Sequence, residues 1–209
     1  MTAKKDLVAL VADLDIEQTL KGLLSRDKSL GIRPISYDIF RHQNRDAGCW
    51  KDEHDFLKIF INKYRYALVI FDHEGCGQEK RDISELRADL NQRLINSGWA
   101  EGHTEAIIFQ PELEIWVWSD SPKVDECLGW ANRTPDLRSW LRANNWFNKD
   151  AVKPEKPKEA LQAALRSVNK RFSASIFEAL AKQVSLDRCT DESFQLFRTT
   201  LERWFPISE

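Results

Sequence analysis

Two acids one residue apart, Asp72 and Glu74, follow the apolar run Ala67-Leu68-Val69-Ile70-Phe71 and precede two glycines, Gly75 and Gly77. Carboxylate oxygens are hard donors, so a pair at this spacing suits a hard cation such as Mg²⁺. Two more acidic pairs stand in the same relation to apolar runs. Asp13 and Asp15 follow the run at 7–11, and Glu112 and Glu114 follow the run at 105–109. A cation held by such acids neutralises a phosphate and lowers the pKa of a bound water. The same acids have a plainer use, because an acid at the start of a helix caps free amides and favours the N-terminal dipole.

The elements that carry these pairs can be read from the hydrophobic pattern. Runs of about five apolar, β-branched-rich residues that stop abruptly at polar ones read as strands buried on both faces. The spacing predicts strands at 7–11, 35–40, 67–71 and 105–109. Helices are expected between them, one on Ile16, Leu20, Leu23 and Leu24, one on Phe56, Leu57, Phe60 and Ile61, and one on Ile83, Leu86, Leu90 and Leu94. Asp82 and Glu85 have the capping-box spacing, and residues 41–52 read as a polar loop. An alternating order of strand and helix implies a mostly parallel sheet flanked by helices, an α/β fold. Parallel strands present their carboxyl ends on one edge, so the three acidic pairs are expected to meet there.

From residue 115 the pattern changes. Trp116, Trp118, Trp130, Trp140 and Trp146 are interleaved with turns, and no strand is evident. Residues 147–157 read as a loop or linker, and three helices follow. One opens at Pro157, one carries Ile176, Phe177, Leu180 and Val184, and one starts near Thr190. The expected division is an α/β domain over 1–120 and a helical, Trp-rich C-terminal extension over 121–209. Its aromatic stripes read as core before they read as a base-stacking surface.

The chain has 209 residues, a net charge of −2 and 42% apolar content, which describes a globular protein with no global attraction to nucleic acid. Charge is uneven, however: residues 1–132 carry a net −6 and residues 133–182 a net +6. A basic segment beside an acidic site suits an anionic polymer, although helices often carry solvated charge. The four cysteines, Cys49, Cys76, Cys127 and Cys189, are scattered, which fits free thiols in a reducing compartment. No apolar run approaches a membrane span and no signal-peptide core opens the chain, so a cytoplasmic location and no membrane partner are expected.

Three stretches, ALVIFDHEGCG, IIFQPELEIWVWSDSP and VSLDRCTDESFQLFRTTLERWF, resemble a Toprim-like family from bacterial defence islands, often found beside ATPases. The likeness runs from Leu7 to Phe205. The chain is also similar to small components of methylation-associated antiphage systems. The resemblance implies a Toprim-like sheet and an Mg²⁺ or Mn²⁺ site in which Asp72 and Glu74 take the place of the paired acids. Asp13, Asp15, Glu112 and Glu114 complete the candidate ligands, with Asp13, Asp72, Glu74 and Glu112 as candidate catalytic residues. It implies a metal-dependent nuclease or nuclease-related effector acting on nucleic acid. One position departs: Toprim proteins usually carry Glu-Gly after the first strand, where this chain has Ala12-Asp13.

That departure leaves other functions open. One is a non-catalytic subunit that docks its aromatic half onto an ATPase or methyltransferase partner. Another follows from LVADLD, which resembles the nucleophile motif of haloacid-dehalogenase-type phosphohydrolases, with Asp13 as nucleophile and Asp15 as general acid. Glu17 stands where that motif has Thr or Val. Among the histidines, His73 between the acids either serves as a proton carrier or points away along the alternating backbone, and His42 with Asp46 follows a strand and lines the same edge or an open surface loop. His42, Cys49, His54 and Cys76 have no zinc-site spacing, and Gly75-Cys76-Gly77 lacks the lysine and spacing of a phosphate loop.

Overall fold

Four apolar runs become the strands β1 (Lys5–Val11), β2 (Tyr37–Arg41), β3 (Tyr64–Asp72) and β4 (Thr104–Phe109). In the computed structural model, which describes residues 3–147 and 151–207, they form one sheet in the order β2-β1-β3-β4. All three pairings are parallel, with Val11 beside Arg41 and Ile70, and Asp72 beside Phe109. The carboxyl ends therefore line up on one edge. Residues 7–11, 67–72 and the whole of β4 are buried, as continuous apolar runs require, while the edge strand β2 is only half-buried.

Connections α1 (Leu14–Leu24) and α2 (Asp27–Leu30) lead from β1 to β2. The return to β3 runs through α3 (Arg45–Lys51) and α4 (Glu53–Lys58), and α5 (Ile83–Asn96) joins β3 to β4. From β1 the chain steps one way to β2, then the other way to β3 and β4. Right-handed crossovers put α1 on one face and α3 to α5 on the other. The contacts follow, with α3 on β1 and β3, α4 on α5, and α5 on β4.

After β4 come a 3₁₀ turn (Leu113–Trp116), α6 (Pro122–Leu128), α7 (Leu137–Ala143), α8 (Pro157–Ser167) and α9 (Ala174–Gln183). A second 3₁₀ turn (Leu186–Arg188) leads to α10 (Glu192–Trp204). Helix α9 packs along α1 and against α6, and α10 packs on β4 and α2. The C-terminal helices thus cover the sheet face that α1 began to cover, and their apolar residues belong to the same core.

Several details depart from the sequence-based expectations. The polar stretch 41–52 contains helix α3, because Gly48 and Cys49 bury one face of it; a Cβ at Gly48 would lie 1.9 Å from His42 Nδ1. Helices α6 and α7 are too short to announce a period. The cap of α10 is Asp191, whose carboxylate accepts from Ser193 N, rather than Thr190. Of the expected linker, residues 148–150 lie outside the described residues. Trp118 and Trp130 are core: their Nε1 atoms donate to Pro157 O and Ala164 O at 3.1 Å, tying α8 to the chain that follows β4.

Candidate metal centre

Asp72 ends β3, and its backbone is fixed by the ladder to β4. Its N–H donates to Asp46 Oδ1 at 2.9 Å, and its Oδ1 accepts from Leu113 N at 2.9 Å. Beyond β4 the chain passes the cis Gln110–Pro111 bond, extends through Glu112 and closes the 3₁₀ turn. That compact turn keeps Glu112 and Glu114 beside the end of β3. Asp72, Glu112 and Glu114 are 8%, 5% and 2% exposed, so three acids share one desolvated place.

One carboxylate oxygen from each of Asp72, Glu112 and Glu114 lies within 4.8 Å of the others. Oxygens bound to one Mg²⁺ or Ca²⁺ at roughly 2.0–2.6 Å are at most about 5 Å apart, so the three can share one cation. Among the described residues, no other His, Cys, Asp or Glu group meets this geometry. The buried acidic triad could therefore hold a metal ion, and its all-oxygen donor set favours a hard one.

A lysine from the far half of the chain faces the triad. Lys158, in the first turn of α8, donates its backbone N–H to Glu112 Oε1 at 3.0 Å and its Nζ to Glu112 Oε2 at 3.2 Å. The same Nζ lies 3.8 Å from Glu114 Oε1.

The electrostatics follow from this crowding. Burial, then the charges of Asp46 and Glu114, push the Asp72 carboxyl well above the carboxylate range. Burial pushes Glu114 up to about 7 against the pull of Lys158, and it also raises Glu112. Burial disfavours the Lys158 ammonium, but Glu114 and Glu112 outweigh it and raise the pKa.

The remaining candidates stand around the triad. Asp13 is the N-cap of α1, its Oδ1 accepting from Ile16 N at 3.0 Å, which is the plainer use named above. Its charge still acts on Asp72 and Asp46. Asp15, half-buried, is pushed up to about 6 by burial and by Asp13, and its charge acts on Glu114. Glu74 is exposed; its N–H bonds to Pro111 O at 3.0 Å and its carboxylate acts on Glu112 only through its field. His73 is buried, with Nε2 unpartnered. The amides of Gly75 and Gly77 each bond Glu79 Oε1 at 3.0 Å, so that loop receives its own carboxylate rather than a phosphate.

Asp46 and Lys158 carry roles that sequence reasoning did not assign. Asp46 had a faint signal, an acid following a strand. Lys158 had none beyond lying in the basic segment, since contact with Glu112 across 46 residues depends on how α8 docks. Compared with protein-family models, curated proteins and solved structures, the chain gives no match in any of the three.

Proposed function

We propose that this chain is a Toprim-like antiviral-defence protein whose acidic centre holds Mg²⁺ or Mn²⁺ and hydrolyses phosphodiester bonds of nucleic acid. The observation that carries this reading is the meeting of Asp72, Glu112 and Glu114, buried and mutually within 4.8 Å, at the carboxyl edge of a parallel sheet. A cation there would neutralise a phosphate and supply a water of lowered pKa. The chain's own part is positioning. Leu113 N and Asp46 fix Asp72, and Lys158 N fixes Glu112. A groove runs along Asp13, Arg41, His42 and Arg45, where Asp13 acts on Asp72 through its field and Arg45 bears on Asp15. A nucleic-acid backbone would enter along it.

The test is cleavage of single- and double-stranded DNA and of RNA with Mg²⁺ or Mn²⁺, by the parent and by an Asp72→Asn/Glu114→Gln protein. The amides keep the shape and cannot become anionic ligands, so the variant is expected to fold, bind no cation, cleave nothing and protect no cells from phage. Equal cleavage and equal protection by the variant would sink the reading. One observation favours a second function. Lys158 already supplies a positive charge to the triad. If it stays there permanently, the domain is a metal-free binding module, a subunit docking onto an ATPase or methyltransferase. Co-purification of such a partner with a protein that binds no divalent cation would support that alternative.

A further inference from the structure

Lys158 is held in two unequal ways. Its backbone is pinned: the N–H bonds Glu112 Oε1, and the carbonyl of the preceding Pro157 accepts from the buried Trp118 Nε1 at 3.1 Å. Helix α8 itself rests on the 3₁₀ turn that carries Glu114. Its side chain is 43% exposed, while the side chains of Glu112 and Glu114 are 7% and 3% exposed. A four-carbon stem with a mobile ammonium can swing outward without moving the helix. Glu112 is designed to outlast that swing in one respect: Oε1 is held by the backbone amide, and only Oε2 faces the ammonium.

The ammonium sits on the carboxylates of Glu112 and Glu114, two of the three that a divalent cation would draw on. Both are positive, and in a desolvated place two cations within a few ångströms repel strongly. From this geometry we infer that the Lys158 ammonium and a divalent cation are alternative occupants of the Asp72–Glu112–Glu114 triad. The lysine is a built-in counter-ion that holds the site in its cation-free state and is expelled on loading. This rests on the metal reading above and adds its regulation. An internal competitor lowers apparent affinity by the fraction of molecules in which the site is open. The C-terminal half thereby sets the cation concentration at which the site loads, and anything that shifts the first turn of α8 shifts that threshold.

The experiment is calorimetric titration of Mn²⁺ into the parent, Lys158→Met and Lys158→Arg, with Arg45→Met as a control for loss of one nearby positive charge. Lys158→Met is expected to bind at least about tenfold tighter than the parent. Lys158→Arg, which keeps a competing cation, should not gain, and Arg45→Met should gain far less than Lys158→Met. In the parent, Mg²⁺ titration followed by NMR of the lysine ammonium groups should move the Lys158 Nζ signal to that of a solvent-exposed lysine. Equal or weaker binding by Lys158→Met overturns the inference, as does an unmoved Nζ signal at saturating Mg²⁺, which needs no variant. If parent and variants are folded and none binds a divalent cation, the metal reading itself fails, and the inference with it.

Discussion

Asp46 shows how one side chain can serve the centre without belonging to the triad. Its Oδ1 accepts the N–H of Asp72, and its charge raises the Asp72 pKa, after burial. The two effects separate by substitution. Asp46→Ala leaves the Asp72 amide without its acceptor and should cost about 1–2 kcal/mol in urea unfolding. Asp46→Asn keeps an acceptor oxygen and should recover most of that loss while removing the charge. Equal destabilisation by the two variants would refute the acceptor role, since the asparagine keeps an acceptor oxygen. Asp13 teaches the complementary point: an acid at a strand end satisfies the helix it introduces before it serves any ligand.

Between elements, α1 and α9 pack closely together. Gly22 faces α9 so tightly that a Cβ there would lie 2.6 Å from Ala181 Cβ and 2.9 Å from Glu178 O. Glycine in a helix costs about 1 kcal/mol against alanine, so helix propensity alone predicts that Gly22→Ala stabilises. The packing predicts the opposite. Neither neighbour can rotate away, so the two helices must part, and overpacking of this kind costs about 1–3 kcal/mol. We expect a net loss, read as a Tm lowered by about 2–4 °C per kcal/mol. A raised Tm would mean that the helices are not in contact at Gly22. The same contact matters for the centre, because α9 and α10 carry the C-terminal half onto the sheet.

For the whole molecule, buried acids make stability depend on pH. Glu53 is fully buried between α4 and α5, and neither carboxylate oxygen has a hydrogen-bond partner. Arg93 Nε is 3.3 Å from Oε1, close enough to attract but not aligned to donate. Burial pushes Glu53 from an ordinary 4.5 up to about 7, against the pull of Arg93. Between those two values the folded chain holds a proton that the unfolded chain has lost, so stability falls as pH rises through the window. Glu114, also raised to about 7, acts in the same sense. Unfolding free energy should therefore be higher near pH 5.5 than near pH 8, by on the order of 1–3 kcal/mol from Glu53, and Tm should be higher with it. Glu53→Gln should narrow the difference, and an undiminished difference would refute the assignment. No helix among the described residues is long and apolar enough to cross a membrane.

The sequence alone determined the strands, the parallel α/β class and the edge on which acids gather. Those follow from local pattern: buried-strand runs such as ALVIF announce themselves, and parallel strands must end together. Asp72, Glu112 and Glu114 were legible as candidates for the same reason. Only the tertiary structure decided which of six acids share a place. Asp13 turned to its own helix, Glu74 turned to solvent, and Asp46 entered from a stretch that reads as a loop. It also decided that Lys158 meets Glu112. That pairing depends on a docking held by Trp118 and the core, spread over many weak contacts with no local signature.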